Sequence, residues 1–296
     1  MSLSFEQLFD PDFLKSLQLF QLRAKRVARG GNYGEQKSKE LGHGMEFKDF
    51  RPYVAGDDLR AIDWNIYRRL GRLFVKLFEE QQDLPLYLMP DVSRSMFVDN
   101  PPAIHAALRV ALALASVCLN QHDSVSLLPF SDDLQIKVKG TSGKAGVMSF
   151  AKHLVQLEQR DKTDLCRAIK RFSGMSLRRG LLVIISDFFD PSGLDKTFKI
   201  LNGCRHNILL IQLVRKSDAN PKLNGDVRLK DCETNETVDI TVTPAVLKRY
   251  HQAYDEFNQQ LIIFAKKRQA GLLRIDVEED VVEQLASLFQ SGSLLV

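Results

Sequence analysis

Asp91, Ser93 and Ser95 place one carboxylate and two hydroxyl groups within a single short stretch of the chain. They follow an apolar run over residues 84–90, which we predict to be a short buried strand, and precede the helix-opening sequence at residues 100–102. In open α/β sheets, ligands bind outside the carboxyl ends of the strands. Oxygen donors with few negative charges suit a small, hard divalent cation that keeps several waters. The stretch therefore predicts a cation site.

Two later stretches offer similar groups at similar places. Thr163 and Asp164 open a predicted helix over residues 165–172, and a predicted strand over residues 181–185 ends in Ser186-Asp187. Alone, each stretch is typical of a solvated turn or a helix N-cap. Their order, with each at a strand end or a helix start, favours one shared site.

The ordered set Asp-x-Ser-x-Ser, Thr-Asp and strand-Ser-Asp resembles the metal-ion-dependent adhesion site of von Willebrand factor A domains. That resemblance implies Mg²⁺ or Mn²⁺ bound with low affinity when no partner completes the shell. Asp164 would then support the shell rather than enter it. The implied ligands, direct or through water, are Asp91, Ser93, Ser95, Thr163 and Asp187.

Composition narrows the classes of protein. The chain has 296 residues, of which 44% are hydrophobic and 26% charged, as in an ordinary soluble protein with room for one large α/β domain or two smaller ones. A net charge of +4 is too small to indicate a nucleic-acid partner. The cysteines at 118, 166, 204 and 232 form no Cys-x-x-Cys pair, which favours reduced thiols in the cytosol.

No membrane segment is predicted. Residues 1–20 carry acidic side chains and lack the basic start of a signal peptide. The most apolar predicted helix, residues 103–119, is interrupted by His105 and Arg109, and we expect it to be too short to span a bilayer. We therefore expect a cytoplasmic protein without a membrane span.

The elements that position these residues alternate between strand and helix from residue 84 onward. Strand-like apolar runs at residues 181–186 and 207–214 are typical of a mostly parallel sheet buried on both faces. Alternating residues at 223–242 predict a half-exposed β-hairpin inserted into this pattern. A long helix should follow Thr243-Pro244 and stop at Gly271.

The segment before the sheet carries a second resemblance. Glu46-Phe47, Arg51-Pro52-Tyr53, Gly56-Asp57-Asp58-Leu59-Arg60 and Ile62-Asp63-Trp64, together with the hairpin sequence at 227–234, resemble the signature of a bacterial family catalogued as domain of unknown function 58. The chain departs from that family after the tryptophan, where it reads Asn65-Ile66.

This resemblance implies an α/β fold of the von Willebrand factor A-like (Rossmann-like) type, with a mostly parallel sheet flanked by helices, an N-terminal extension and an inserted hairpin. It implies residues 1–80 as a helical lead and extension packed on the main domain, and residues 81–296 as that domain, with the hairpin at about 223–242. It also implies work with a MoxR-type AAA+ ATPase, or that ATPase's client, in chaperone-like assembly or activation of other proteins.

The charges between Glu46 and Trp64 allow two interpretations. They could form a buried ion-pair network that fixes the extension to the sheet domain, or they could present a binding face. We favour the structural interpretation, because closely spaced opposite charges usually satisfy one another. The simplest role for Trp64 is a packing anchor.

The functional expectation is a non-enzymatic, divalent-cation-dependent protein-binding module. A Mg²⁺-dependent phosphatase or phosphotransferase with Asp91 as nucleophile is an alternative, but position 93 is a serine where that chemistry needs a second carboxylate as general acid and base. A structural scaffold with a vacant metal site is another alternative. We expect Asp91 to be a lone, exposed carboxylate whose replacement by alanine leaves the fold intact.

Overall fold

The computed structural model describes residues 4–30, 45–80 and 84–291, with side chains at 4–6, 8–21, 49–76 and 84–286. Contacts divide the chain into two compact units, residues 1–31 with 84–296 and residues 32–83. This division differs from the predicted boundary at residue 80, because the helical lead groups with the sheet.

The strands are β1 (Met45–Pro52), β2 (Phe74–Glu80), β3 (Leu86–Pro90), β4 (Val125–Leu127), β5 (Val138–Thr141), β6 (Leu181–Ser186), β7 (Asn207–Val214), β8 (Gly225–Lys230), β9 (Thr237–Val242) and β10 (Gly271–Asp276).

The α-helices range from single turns to a helix of seven turns. They are α1 (Phe5–Leu8), α2 (Pro11–Gly30), α3 (Trp64–Leu70), α4 (Ser95–Val98), α5 (Ala103–Asn120), α6 (Gly146–Val155), α7 (Leu165–Ser173), α8 (Leu194–Asn202), α9 (Lys216–Ala219), α10 (Pro244–Arg268) and α11 (Val281–Ser291).

The large unit is built on a six-stranded sheet in the order β10-β7-β6-β3-β4-β5. All neighbours are parallel except β4 and β5, which pair antiparallel. The central strand β3 lies between β4 and β6, with Leu88 opposite Leu127 on one side and Val183 on the other. The predicted α/β fold with a mostly parallel sheet is confirmed.

Helices cover both faces of the sheet, because successive strand side chains point to opposite sides. Leu88 and Val183 face a core formed with α2, α5, α6 and α11. Met89 and Ile184 face a second core formed with α7, α8 and α10. Burial on both faces explains why the strands are continuous apolar runs.

Helix α5 extends one residue beyond the predicted helix over residues 103–119. By length and composition it could cross a membrane, although 72% of it is buried inside the protein. At about 1.5 Å per residue, its length approaches the thickness of a bilayer core. The prediction that it is too short to span a membrane is therefore wrong.

The small unit, residues 32–83, contains a two-stranded sheet. Strands β1 and β2 pair antiparallel. Arg51 bonds Asp57 at 2.8 Å, and Lys76 bonds Asp63 at 3.0 Å. These ion pairs lie within the unit. Trp64 was predicted to be a packing anchor; its side chain is 57% exposed and contacts Tyr67 edge-on. The side chain of Glu46 lies outside the described residues.

The inserted hairpin (β8 and β9) and the long helix α10 follow β7 and α9 in the large unit. Strands β8 and β9 pair antiparallel from Gly225 opposite Val242 to Lys230 opposite Thr237, and most of their side chains are exposed. Thr243 caps α10 with its side chain. The helix ends earlier than Gly271, because Gln269 adopts the left-handed conformation (φ 55°) and terminates it.

Candidate metal site

The carboxyl ends of β3 and β6 bring two acidic residues together. The strands are adjacent and parallel, and the backbone N–H of Asp91 donates to the carbonyl of Ile185 at 2.9 Å. The Ser186 hydroxyl donates to Asp91 Oδ2 at 2.7 Å, and it receives the N–H of Phe188 at 2.9 Å. Because Asp187 directly follows Ser186, strand pairing alone places its carboxylate beside that of Asp91.

The turn after β3 adds the two hydroxyls. The N–H of Ser93 donates to Asp91 Oδ1 at 2.9 Å, and the hydroxyls of Ser93 and Ser95 lie 3.1 Å apart. Ser95 opens α4 and lies close enough to Asp187 to lower the pKa of that acid. Asp91 and Ser93 are fully buried, so the prediction that Asp91 is exposed is wrong. Through the Ser93 N–H, the turn after β3 folds back onto the Asp91 carboxylate.

Burial makes this pair of acids electrostatically unfavourable. Loss of solvation raises the pKa of Asp91 to about 6, and the negative charge of Glu233 adds to the increase. Loss of solvation, then repulsion from Asp91, raises the pKa of Asp187 to about 7. A divalent cation among these oxygens would favour both ionised carboxylates. The donor set therefore fits a hard cation held by Asp91, Asp187 and the two serine hydroxyls.

Thr163 faces a carboxylate that the sequence interpretation missed. Its hydroxyl donates to Glu233 Oε1 at 2.8 Å, and its backbone N–H donates to Glu233 Oε2 at 3.0 Å. Glu233 lies in the turn between β8 and β9. The order of the strands could have indicated Glu233. Strand β7 ends at the same edge of the sheet as β3 and β6, and the hairpin that carries Glu233 follows β7 closely.

Asp164 has a structural role beside the site. Its N–H donates to the carbonyl of Ser131 at 2.8 Å, and its carboxylate accepts the N–H of Arg167 as the N-cap of α7. Asp190, which the sequence interpretation also missed, accepts the N–H of Leu165 at 2.8 Å. These bonds fix the start of α7 and hence the position of Thr163.

The site is poor in carboxylates and borders a cavity. Within the described ranges, no group of three or more histidine, cysteine, aspartate or glutamate side chains has a metal-binding arrangement. The predicted ligands are instead two carboxylates and three hydroxyls. A cavity of about 200 Å³ lies next to them, and Ser95, Asp187, Arg215 and Cys232 are among its lining residues.

The parallel sheet and the helices on both of its faces define an α/β fold of the von Willebrand factor A-like type. The profile described as "Protein of unknown function DUF58" matches residues 49–260, which is more than half of the chain. The chain belongs to this family.

Several relatives and solved structures are similar to this chain. "Uncharacterized protein Mb1516" of Mycobacterium bovis and "Uncharacterized protein Rv1480" of Mycobacterium tuberculosis are each 26% identical over 249 residues, covering 82% of this chain and 78% of theirs. BatB from Bacteroides thetaiotaomicron is 14% identical, with a TM-score of 0.44, over 71% of this chain and 98% of its own. A von Willebrand factor type A protein from Catenulispora acidiphila is 10% identical, with a TM-score of 0.39, over 75% of this chain and 44% of its own.

Two predictions need correction. One is that the protein is cytoplasmic, and the other is that it has no membrane span. An aerotolerance-related membrane protein from Bacteroides fragilis is also similar, at 15% identity and a TM-score of 0.42, over 72% of this chain and all of its own. The described chain itself contains α5, which meets the length and composition of a membrane span. On the length and composition of this helix, both predictions are wrong as stated, and we assign no compartment.

Proposed function

We propose that this protein is a non-enzymatic, divalent-cation-dependent protein-binding module. Mg²⁺ or Mn²⁺ would be held by Asp91, Ser93, Ser95, Thr163 and Asp187, with one position open to an acidic side chain of a partner. The supporting observation is the buried Asp91–Asp187 pair, whose ionised state needs a positive charge beside it.

The burial of Asp91 supports binding rather than nucleophilic chemistry. One of its carboxylate oxygens accepts the Ser93 N–H and the other accepts the Ser186 hydroxyl. Each oxygen keeps a second lone pair for a cation, whereas complete burial leaves Asp91 no exposed surface at which a substrate could meet it. This acid is arranged instead to hold a fixed orientation.

Work with a MoxR-type AAA+ ATPase, in chaperone-like assembly or activation of other proteins, is the finer part of the functional hypothesis. Its support is the family resemblance. Cation-dependent binding has support from the site itself. The two parts of the hypothesis are compatible if the ATPase or its client presents an aspartate or glutamate to the cation.

Calorimetric titration of the purified chain with MgCl₂ and MnCl₂ tests the proposal. We expect saturable binding by the wild type and none by Asp187→Asn. Asp132→Asn is the matched control, because Asp132 is an exposed acid near the same edge of the sheet. Absence of binding by the wild type, or equal binding by Asp187→Asn, would reject the cation site and leave a scaffold.

A further inference from the structure

The tip of the β8–β9 hairpin delivers a carboxylate to the cation site from the same chain. Glu233 uses both carboxylate oxygens to accept the N–H and the hydroxyl of Thr163. The two residues are 70 positions apart in sequence, so this contact exists only because the hairpin folds back to the edge of the sheet.

The turn that carries Glu233 is held in one shape. Asp231 accepts the N–H of Glu233 at 2.7 Å and the N–H of Thr234 at 2.8 Å, and its own N–H donates to the carbonyl of Glu236 at 2.9 Å. Asn235 adopts the left-handed conformation (φ 60°) that tight turns require. These bonds orient Glu233 before it meets Thr163, which lowers the entropic cost of the contact.

The contact adds a third negative charge near two buried acids. Like charges in a buried place repel one another, whereas a divalent cation among them would attract all three carboxylates. The neighbouring Cys232 lines the cavity beside Ser95 and Asp187, so the hairpin tip covers that side of the site too.

We propose that Glu233 is an internal ligand of the cation site, occupying the position that a partner's acidic side chain would take, so that a partner has to displace the hairpin tip in order to bind. This inference rests on the proposed function and adds a regulatory step to it. The hairpin would hold the site closed, and an acidic segment of the partner would open it.

The first experiment measures cation affinity by calorimetry with MnCl₂. Glu233→Gln removes the charge and keeps the size of the side chain, and we expect its affinity for Mn²⁺ to fall roughly 3- to 10-fold. Glu236→Gln is the matched control, because Glu236 is an exposed acid in the same turn. We expect this control to bind as the wild type does.

The second experiment tests whether Glu233 blocks an external carboxylate. The probe is glutarate in the presence of MgCl₂, and the readout is the NMR chemical shift of the Thr163 amide. In Glu233→Ala we expect a glutarate-dependent shift that a chelator abolishes. In the wild type and in Glu236→Ala we expect at most a small shift at the same glutarate concentration.

The outcomes separate this inference from the proposed function. If the wild type binds no cation, both fail. If the wild type binds Mn²⁺ and Asp187→Asn does not, the cation site stands. The internal-ligand inference is then rejected if Glu233→Gln binds Mn²⁺ as tightly as the wild type, or if glutarate shifts Thr163 equally in the wild type and Glu233→Ala.

Discussion

The acids of the two units have opposite electrostatic surroundings. In the small unit, hydrogen bonding to Arg51 lowers the pKa of Asp57, and hydrogen bonding to Lys76 lowers that of Asp63. At the edge of the large sheet, burial raises the pKa of Asp91 and Asp187. The first pair has cations supplied by the chain, whereas the second pair is held by hydroxyls and backbone N–H groups. This difference is the basis of the proposal that an added cation binds at the edge of the large sheet.

Cation-dependent stability should separate the two regions most strongly. If Mg²⁺ binds the folded chain, a concentration 100 times its dissociation constant stabilises the fold by about 2.7 kcal/mol. We expect the melting temperature of the wild type to rise with Mg²⁺ and that of Asp187→Asn to stay constant. Asp63→Asn, in the small unit, should keep the full Mg²⁺ response. Loss of the response in Asp63→Asn as well would remove the contrast between the regions.

Loss of the hydrogen bonds of Asp91 should have the next largest effect on the stability of the fold. Asp91→Ala leaves the Ser93 N–H and the Ser186 hydroxyl without this acceptor in a buried place. We expect it to unfold more easily than Asp91→Asn by about 1–3 kcal/mol. Denaturant melts in the presence of a chelator measure this difference. Equal stability of the two variants would mean that these hydrogen bonds contribute as little to the free energy of unfolding as those of an exposed carboxylate.

The repulsion between the two acids should appear as a pH dependence. Because the folded pKa of Asp187 is raised to about 7, above its ordinary value, its ionisation destabilises the fold as the pH rises from about 4 through 7. In a chelator at pH 8, Asp187→Asn should therefore be more stable than the wild type by on the order of 1–2 kcal/mol. The difference should vanish near pH 4. A constant difference across this range would contradict the assignment.

The ion pair in the small unit should have the smallest effect. The lowered pKa of Asp63 stabilises the fold above the ordinary pKa of an aspartate, and this contribution disappears as the pH falls through the lower folded value. The Asp63→Asn variant would retain the cap of α3, because an asparagine oxygen also accepts backbone N–H groups, and it would lose the bond to Lys76. We expect the melting temperature of Asp63→Asn to fall by no more than about 2 °C at neutral pH. High salt should reduce this difference in thermal melts.

Sequence reasoning succeeds where local pattern and topology agree. The apolar runs of β6 and β7 predicted buried parallel strands, because side chains on both faces had to be apolar. Parallel pairing then requires Asp91 and Asp187 to lie at one edge, and the structure brings these two residues together with Ser93 and Ser95. Cation binding by these residues stays a prediction.

The failures have physical causes beyond the local pattern. The complete burial of Asp91 is a property of the tertiary structure, and the contact between Glu233 and Thr163 joins residues 70 positions apart. The left-handed conformation of Gln269 ended α10 before the glycine that intrinsic preference favoured. The packing of the helical lead on the main domain agrees with the expectation, since Phe13 and Phe20 lie in the core of the large unit.

The packing of α2 beside α5 and α11 has a consequence for synthesis of the chain on the ribosome. Helix α2 ends at Gly30, whereas α11 begins only at Val281. At typical translation rates, tens of seconds separate their emergence. Throughout that interval, Phe13, Leu17 and Phe20 lack part of the surface that later buries them. The nascent chain is therefore exposed to aggregation at its beginning, and the large unit reaches its final form only after its last helix leaves the exit tunnel.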